Sequence, residues 1–154
     1  IIIITIYYSK LKKLSFLIFT DLLAIVTPIG LFLGRLANFI NSELIGMPTN
    51  LPWAVIFLKV DKIPRHPSQL YEAFLEGLIL FLILNFIFKI KTIKGYISAY
   101  FLILYSLFRI FAEQFRLPDE HLGYIVGKLS MGTLLSVLML ITGLILLANV
   151  KNFK

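Results

Sequence analysis

The stretch best equipped for chemistry covers thirteen residues, 34–46, and reads GRLANFINSELIG. It holds an arginine, two asparagines and a glutamate, and it follows an apolar run from Phe16 to Leu33. Arg35 is of most interest, because a guanidinium binds phosphate oxygens through two parallel hydrogen bonds. A solvated loop between two helices is the ordinary interpretation of such a stretch. A binding site at a membrane face is the alternative, because the polar side chains end an apolar segment.

Two later groups of polar and ionisable side chains have helical spacing. Residues three or four positions apart lie on one face of a helix. The first group is Tyr105, Arg109, Glu113 and Arg116, and the second is Gln69, Glu72 and Glu76. Each group is therefore expected to present its side chains together, towards a neighbouring helix.

Composition indicates that these residues lie in a membrane protein. Of the 154 residues 59% are hydrophobic and only 15% charged, and the mean hydropathy is +0.92. Long apolar runs between short basic clusters are typical of multi-span proteins. The net charge of +7 does not indicate nucleic acid, because the lysines cluster at the ends of apolar segments. With no cysteine and two distant histidines, disulfides and cysteine-ligated metals are excluded and no metal site is expected.

We predict an all-α polytopic membrane protein with about four transmembrane helices, a truncated helix stub and a small extracytoplasmic head, in a single membrane domain. The predicted segments are the stub 1–9, a span 14–34, the head 35–66, a span 67–88, a span 95–115, a loop 116–127 and a span 128–150. Lysine clusters at 10–13, 89–94 and 151–154 fall on one side if the spans alternate. By the positive-inside rule that side is cytoplasmic. The head and the loop 116–127 are therefore predicted to be periplasmic.

This topology places several charges inside the outer leaflet. Glu72 and Glu76 lie about 8 and 14 Å from the outer end of their span, and Arg109 lies about 10 Å below that face. Such charges cost several kcal/mol each unless they are paired or hydrated. One interpretation is that they only hold helices together. The other is a site for a phosphate at this depth, which would be a phospholipid head group; an enzyme acting on lipid and a permease both remain open.

Four single residues lead to structural expectations. Pro28 is predicted to kink its span. Asp21 is interpreted as an interfacial carboxylate that pairs with Lys13. His66, which precedes a proline, is interpreted as a helix cap, and Trp53 is placed at the membrane interface.

The stretch 34–46 matches, at every fixed position, the pattern G-R-x-[G or A]-N-F-x-N-x-E-x-x-G. It resembles the signature of bacterial prolipoprotein diacylglyceryl transferases. Two further stretches are similar to the same family, RHPSQLYEAFLEG at 65–77 and YSLFRIFAEQFRLPD at 105–119. The order and spacing of the three also agree, so the resemblance covers nearly the whole chain.

The resemblance implies a transferase of the bacterial inner membrane with its active site at the periplasmic face. Such an enzyme moves the diacylglyceryl group of phosphatidylglycerol to the lipobox cysteine of a prolipoprotein signal peptide, and glycerol 1-phosphate leaves. It implies no metal or organic cofactor. On these positions Arg109, Glu113 and Tyr105 are the expected catalytic group, with Glu113 holding Arg109. The expected phosphatidylglycerol-binding residues are Arg35, Asn38, Glu43, Gly46 and Arg116.

The sequence departs from the family in one respect. Family members carry a His-Gly-Gly motif upstream of the region matched here, and this chain, which starts at Ile1, does not contain it. The expectation is therefore a C-terminal portion of a longer protein, whose isolated chain inserts into membranes without turnover. The alternative function is a non-enzymatic lipid-binding protein of the outer leaflet, or a permease fragment.

Overall fold

Helices make up most of the computed structural model, which describes residues 2–13, 15–90, 93–117, 124–126 and 129–150. The helices are α1 (Ile2–Leu11), α2 (Phe16–Asn41), α3 (Ser68–Ile90), α4 (Tyr96–Glu113) and α5 (Met131–Val150). Within the described residues, α2 to α5 are the four helices long and apolar enough to cross a membrane. The predicted all-α polytopic membrane fold is confirmed.

The first spanning helix differs from its predicted bounds. Helix α2 continues past residue 34 to Asn41, so the predicted start of the head at residue 35 lies inside the helix. Arg35 and Asn38 are three residues apart and share one helical face, so their polarity does not require the helix to end. It ends where Ser42 adopts a left-handed conformation, φ 63° and ψ 37°, and its N–H bonds back to the Asn38 and Phe39 carbonyls. Helix α2 also continues through Pro28, and the kink expected there stays a prediction.

The interpretation of Asp21 was wrong, because this carboxylate is held by the start of α4 and not by Lys13. Asp21 is buried, and its oxygens accept hydrogen bonds from the Gly95 N–H at 2.7 Å, the Ser98 N–H at 2.7 Å and the Ser98 hydroxyl at 2.6 Å. The first N–H groups of a helix lack partners within it, so a carboxylate from another helix satisfies them.

Helix α3 contains a π-helical turn, Ala73–Ile79, between two α-helical parts. In this turn Gly77 packs against α2, because a Cβ built there would lie 2.6 Å from the Cβ of Phe32. Such close approaches between spanning helices rely on small residues. Below this turn a core of Ala24, Leu80, Leu84 and Ile97 joins α2, α3 and α4.

The region between α2 and α3 is a small β head. Strand β1 (Val55–Ile56) pairs antiparallel with β2 (Pro64–Arg65). Residues 45–48 form single bridges on both sides, with Gly46 opposite Arg116 and Pro48 opposite Arg65. A second short ribbon, β3 (Tyr124–Val126) with β4 (Leu129–Ser130), precedes α5. Most of the predicted loop 116–127, and the predicted span start at Lys128, lie outside the described residues.

Candidate functional site

The centre of the site is a pair of carboxylates on α3. Glu72 and Glu76 are four residues apart at the π-helical turn, and their side chains are 1% and 0% exposed. π-Helical turns recur at functional sites, because the extra residue per turn redirects side chains. Burial of two carboxylates in a membrane protein requires partners of opposite charge.

Arg35 reaches this pair from α2. Its Nε lies 2.9 Å from Glu72 Oε2, and its second guanidinium nitrogen lies 3.4 Å from Glu76 Oε2. The side chain keeps 14% of its surface exposed. Arg35 therefore spans both carboxylates and still presents part of its guanidinium outwards.

Arg109 reaches the same pair from α4. One guanidinium nitrogen lies 2.6 Å from Glu72 Oε1 and 3.5 Å from Glu76 Oε1. The other nitrogen lies 2.9 Å from Glu113 Oε2, one helical turn further along α4. The predicted contact between Arg109 and Glu113 is thus present in the structure.

Arg116 completes the group just beyond the end of α4. Its guanidinium is 3.9 Å from Glu72 Oε1, and its side chain is 7% exposed. Its backbone faces Gly46 across an isolated bridge. Three arginines and three glutamates thus form one ion cluster with no formal net charge, contributed by α2, α3 and the end of α4.

Several of these ion pairs lack good hydrogen-bond geometry. Glu72 Oε2, Glu76 Oε1 and Glu113 Oε2 are buried and accept no well-aligned hydrogen bond within the described residues, although each lies within 3.5 Å of a guanidinium nitrogen. Charge attraction depends little on angle, whereas hydrogen bonds weaken steeply with it. The guanidinium groups of Arg35 and Arg109 are consequently compensated in charge while retaining donors for another oxyanion.

Asn38 and Tyr105 lie on the helices that carry the two arginines. Asn38 is half-buried, and its carbonyl accepts the Glu43 N–H at 2.9 Å. Its side-chain amide makes no hydrogen bond within the described residues and remains available. Tyr105 lies one turn before Arg109 and stacks on Phe101, with ring centroids 5.7 Å apart.

Glu43 and Gly46 have different surroundings. The Glu43 side chain is exposed and forms no ion pair within the part of the chain that the structure describes, while its carbonyl accepts a 2.6 Å hydrogen bond from Gln69 Nε2. A Cβ at Gly46 would collide with the His66 carbonyl oxygen and would lie 2.9 Å from the Phe115 carbonyl oxygen. The φ of Gly46 is not positive, so its backbone conformation does not demand glycine. Glycine is required there because the neighbouring backbone comes too close for a side chain.

Gly46 also lies where the head joins the spanning helices. The Met47 N–H donates to the Phe115 carbonyl at 2.9 Å, and the Met47 carbonyl accepts the His66 N–H at 3.0 Å. Arg65 donates to the Gly46 carbonyl at 3.2 Å and to Asp61 Oδ2 at 2.6 Å. Hydrogen bonding from Arg65, and then from the Ile63 N–H, lowers the pKa of the Asp61 carboxyl.

His66 does not act as the predicted helix cap. Pro67 occupies the position before α3, and no side chain caps that end. The His66 ring packs on Phe115, with centroids 5.2 Å apart, and its Nδ1 lies 3.3 Å from the Tyr71 hydroxyl. The Trp53 indole donates to the same hydroxyl at 2.8 Å. The structure thus places His66 in an aromatic cluster beneath the head.

The sequence placed Glu72 and Glu76 among the charges of the outer leaflet, but the expected catalytic and lipid-binding residues did not include them, although the structure makes them central. Their helical spacing and their predicted depth were the available signals. Their partners were not available from spacing, because both arginines come from other helices. Within the described residues no group of histidine and acidic side chains is arranged to hold a metal ion. The arrangement instead suits an oxyanion presented to Arg35 and Arg109.

Comparison with known proteins gives consistent matches. A family model described as prolipoprotein diacylglyceryl transferase matches residues 1–149. A Rickettsia felis protein is 54% identical over 146 residues, which cover 93% of this chain and 56% of that protein. A Rickettsia typhi protein is 51% identical over 155 residues, 98% of this chain and 60% of the relative. Both relatives are named phosphatidylglycerol–prolipoprotein diacylglyceryl transferase, and the chain spans a little over half of their length.

Proposed function

Because this chain belongs to the prolipoprotein diacylglyceryl transferase family, we propose that its protein transfers the diacylglyceryl group of phosphatidylglycerol to a prolipoprotein cysteine. The observation that carries this proposal is the convergence of Arg35 and Arg109, from two spanning helices, on one buried carboxylate pair. Guanidinium groups at this position suit the phosphate of a lipid whose acyl chains remain in the bilayer.

The reaction forms one carbon–sulfur bond and breaks one carbon–oxygen bond. The sulfur of the prolipoprotein cysteine attacks the glycerol carbon that carries the phosphate ester. The electron pair of the broken bond leaves with glycerol 1-phosphate, and the thiol proton passes to water. A thiol has an ordinary pKa of about 8.5, so a positive field beside it favours the reactive thiolate.

The arginines stabilise the charge that develops on the leaving group. A phosphodiester carries one negative charge, and the departing phosphate monoester gains a second. Arg35, with Asn38, binds the head group, and Arg109 makes the second contact to the phosphate. Each exchanges part of its contact with Glu72 or Glu76 for phosphate oxygens. Donors already in place when charge develops contribute strongly to catalysis.

The remaining predicted residues keep this geometry. Glu113 holds Arg109 in orientation. Tyr105, one turn before Arg109, and Glu43, whose carbonyl binds Gln69, help to fix the surrounding segments. Gly46 lets the head approach the ends of α3 and α4, and Arg116 adds positive charge beside Glu72. No metal or organic cofactor takes part.

The site faces the periplasm in this proposal, and the chain resides in the bacterial inner membrane. Single cysteines test the orientation cleanly, because the chain has none. Asn50→Cys in the head should react with a membrane-impermeant maleimide added to cells with a permeabilised outer membrane. Lys94→Cys, beside the start of α4, should react only after the inner membrane is also opened. Labelling of position 94 from outside would overturn this orientation.

The activity test uses phosphatidylglycerol vesicles and a lipobox peptide, with thioether product measured by mass spectrometry. One arm contains this chain alone. The second contains the chain co-expressed with the part of the Rickettsia felis relative outside the aligned 146 residues. Product is expected in the second arm, and none from a peptide with serine in place of cysteine. Lipid or solute flux without thioether would instead favour a permease.

A further inference from the structure

The two oxygens of the Glu113 carboxylate have different partners, Arg109 and Ser130. Glu113 Oε1 accepts a 2.8 Å hydrogen bond from the Ser130 hydroxyl, while Oε2 lies 2.9 Å from Arg109. Ser130 is 7% exposed and lies directly before α5. The hydroxyl therefore bonds the carboxylate that orients the guanidinium, from the residue just before a helix that supplies no charged side chain to the ion cluster.

The same hydroxyl also accepts a hydrogen bond from the Thr133 N–H at 3.2 Å. Ser130 thus occupies the N-cap position of α5, with its side-chain oxygen on the third helical N–H. A serine can fill both roles, because its hydroxyl donates one hydrogen bond and accepts others. The helix cap fixes the oxygen, and the fixed oxygen directs its hydrogen towards Glu113.

Gly132 leaves the space that this carboxylate occupies. A Cβ built on Gly132 would lie 2.7 Å from Glu113 Oε1 and 2.9 Å from Glu113 Cδ. These atoms are the far end of a flexible side chain, so a methyl group at position 132 can be accommodated by moving the carboxylate. The fold would tolerate that movement, but the contact with Arg109 would be lost.

We propose that Ser130 and Gly132 are positioning residues for the phosphate-binding site, acting through Glu113 on Arg109. This inference rests on the proposed function of Arg109. The beginning of α5 thereby takes part in the site. Ser130 orients Glu113 in addition to capping the helix.

Substitutions at position 130 separate the two roles. Asparagine caps a helix and carries amide donors, so Ser130→Asn should retain both the cap and the hydrogen bond to Glu113. Aspartate caps equally well but presents a negative charge to Glu113, so Ser130→Asp should keep the fold and lose the orientation. Ser130→Ala should lose both. Thr142→Val is the matched control, because among the described residues the Thr142 hydroxyl bonds only the Leu138 carbonyl of its own helix.

The first readout needs no activity. An arginine-specific dicarbonyl reagent should modify Arg109 about tenfold faster in Ser130→Asp, Ser130→Ala and Gly132→Ala than in the parent, because the guanidinium has lost one carboxylate partner. Ser130→Asn and Thr142→Val should react like the parent. Equal rates in all variants would overturn the proposal.

The second readout is thioether formation in the supplemented assay described above. Ser130→Asp and Gly132→Ala should lower kcat about tenfold or more, with KM for the lipobox peptide unchanged. Altered Arg109 reactivity with undiminished turnover would also overturn the proposal. If the parent makes no thioether, the proposed transferase function fails, while Arg109 reactivity still decides the positioning role.

A different observation concerns the tip of the hairpin that joins β1 to β2. Its apolar side chains point outwards, with Leu58 80%, Val60 51% and Ile63 44% exposed. Beside them Phe57 is only 3% exposed and packs edge-on against Phe39 in the last turn of α2, with centroids 5.8 Å apart. The tip is therefore fixed at the level of a spanning helix.

Its surface continues the lipid-facing side of that helix. Ile40, the residue after Phe39, is 73% exposed. The charges of the tip are Lys59, Lys62 and the pair formed by Asp61 with Arg65. Because that pair cancels, the two exposed lysines give the tip a net positive charge, which complements an anionic lipid surface.

We infer that the hairpin tip inserts Leu58 and Val60 into the outer leaflet, with Lys59 and Lys62 at anionic head groups. Leu58→Cys carrying an environment-sensitive fluorophore should emit at shorter wavelength in phosphatidylglycerol vesicles and be quenched several-fold by lipids brominated on their acyl chains. Asn50→Cys, also in the head, is the control and should remain unquenched. Replacing Lys59 and Lys62 by glutamate should reduce the quenching. A probe at position 58 that behaves like that at position 50 would overturn this inference, whatever the transferase assay shows.

Discussion

Two buried acidic sites lie near opposite ends of the same helix bundle, and they are stabilised in different ways. Asp21 and Arg35 are both on α2, fourteen residues and about 21 Å apart along its axis. Asp21 is satisfied by two backbone N–H groups and a hydroxyl at the start of α4. Glu72 and Glu76 are instead neutralised in charge by guanidinium groups from other segments of the chain.

The difference separates a fixed site from an exchangeable one. Backbone N–H groups at a helix start cannot move away without unfolding that turn, so Asp21 has a permanent partner. Guanidinium groups sit on long side chains, and the ion pairs around Glu72 and Glu76 are imperfectly aligned. In the proposed function, an incoming phosphate therefore replaces a carboxylate at Arg35 or Arg109 without disturbing a helix. We expect the first site to control stability and the second to control function.

The largest effect should follow removal of either arginine. Arg35→Ala and Arg109→Ala should each lower thioether formation at least a hundredfold, because donors to the developing phosphate charge are lost. Lysine should restore little activity at either position, since a point charge does not reproduce two parallel contacts. Turnover in the supplemented vesicle assay, with membrane insertion checked by fractionation, measures this. Full activity of Arg35→Lys would show that only the net field matters.

Removal of the Asp21 carboxylate should have the opposite signature. Asp21→Ala leaves buried donors of Gly95 and Ser98 without their acceptor, which costs about 2–3 kcal/mol of stability. Turnover per folded molecule should stay within twofold of the parent. Thermal unfolding in detergent and turnover normalised to folded protein measure the two quantities. Thr27→Val on the same helix is the control, since within the part of the chain that the structure describes its hydroxyl bonds only the Leu23 carbonyl. Loss of turnover without loss of stability would erase the distinction between the sites.

Glu113→Gln should have an intermediate effect on function. The amide keeps the size of the side chain and an oxygen for Ser130 or Arg109, but it removes the charge that holds the guanidinium. Turnover should fall about tenfold, well short of the loss in Arg109→Ala. If the two variants are equally impaired, Glu113 contributes more than orientation.

The smallest effect should come from Asp61, whose ion pair with Arg65 lies in the head. Its folded-state pKa is lowered, chiefly by the Arg65 hydrogen bond. The stabilisation it gives is therefore complete above the unfolded-state pKa of about 3.9 and is lost as the pH falls through the lower folded-state value. Unfolding temperatures of the parent and of Asp61→Asn should run parallel from pH 7 to about 5 and converge slightly below about 4. A divergence near neutral pH would contradict this assignment.

The sequence was sufficient for features that depend on local spacing. Apolar length identified the spans, and four-residue offsets placed Arg109 beside Glu113. The partners of Asp21 were not predictable in this way, because Gly95 and Ser98 are 74 and 77 residues away. The pairing of Arg35 with Glu72 likewise depends on how two helices pack. The helical extension to Asn41 was missed because polar side chains on one face were interpreted as the end of the helix.

The distance in sequence between Asp21 and Gly95 also has a consequence for biosynthesis. At about 5–20 residues per second, the ribosome makes the start of α4 roughly 4–15 seconds after Asp21. During that interval Asp21 lacks the donors of Gly95 and Ser98, but it lies about 8 Å from the beginning of α2, close to the water on the predicted cytoplasmic side. Hydration there lets α2 enter the bilayer before the Asp21 carboxylate accepts hydrogen bonds from Gly95 and Ser98. The water is released when α4 packs against α2 and its first N–H groups bind Asp21.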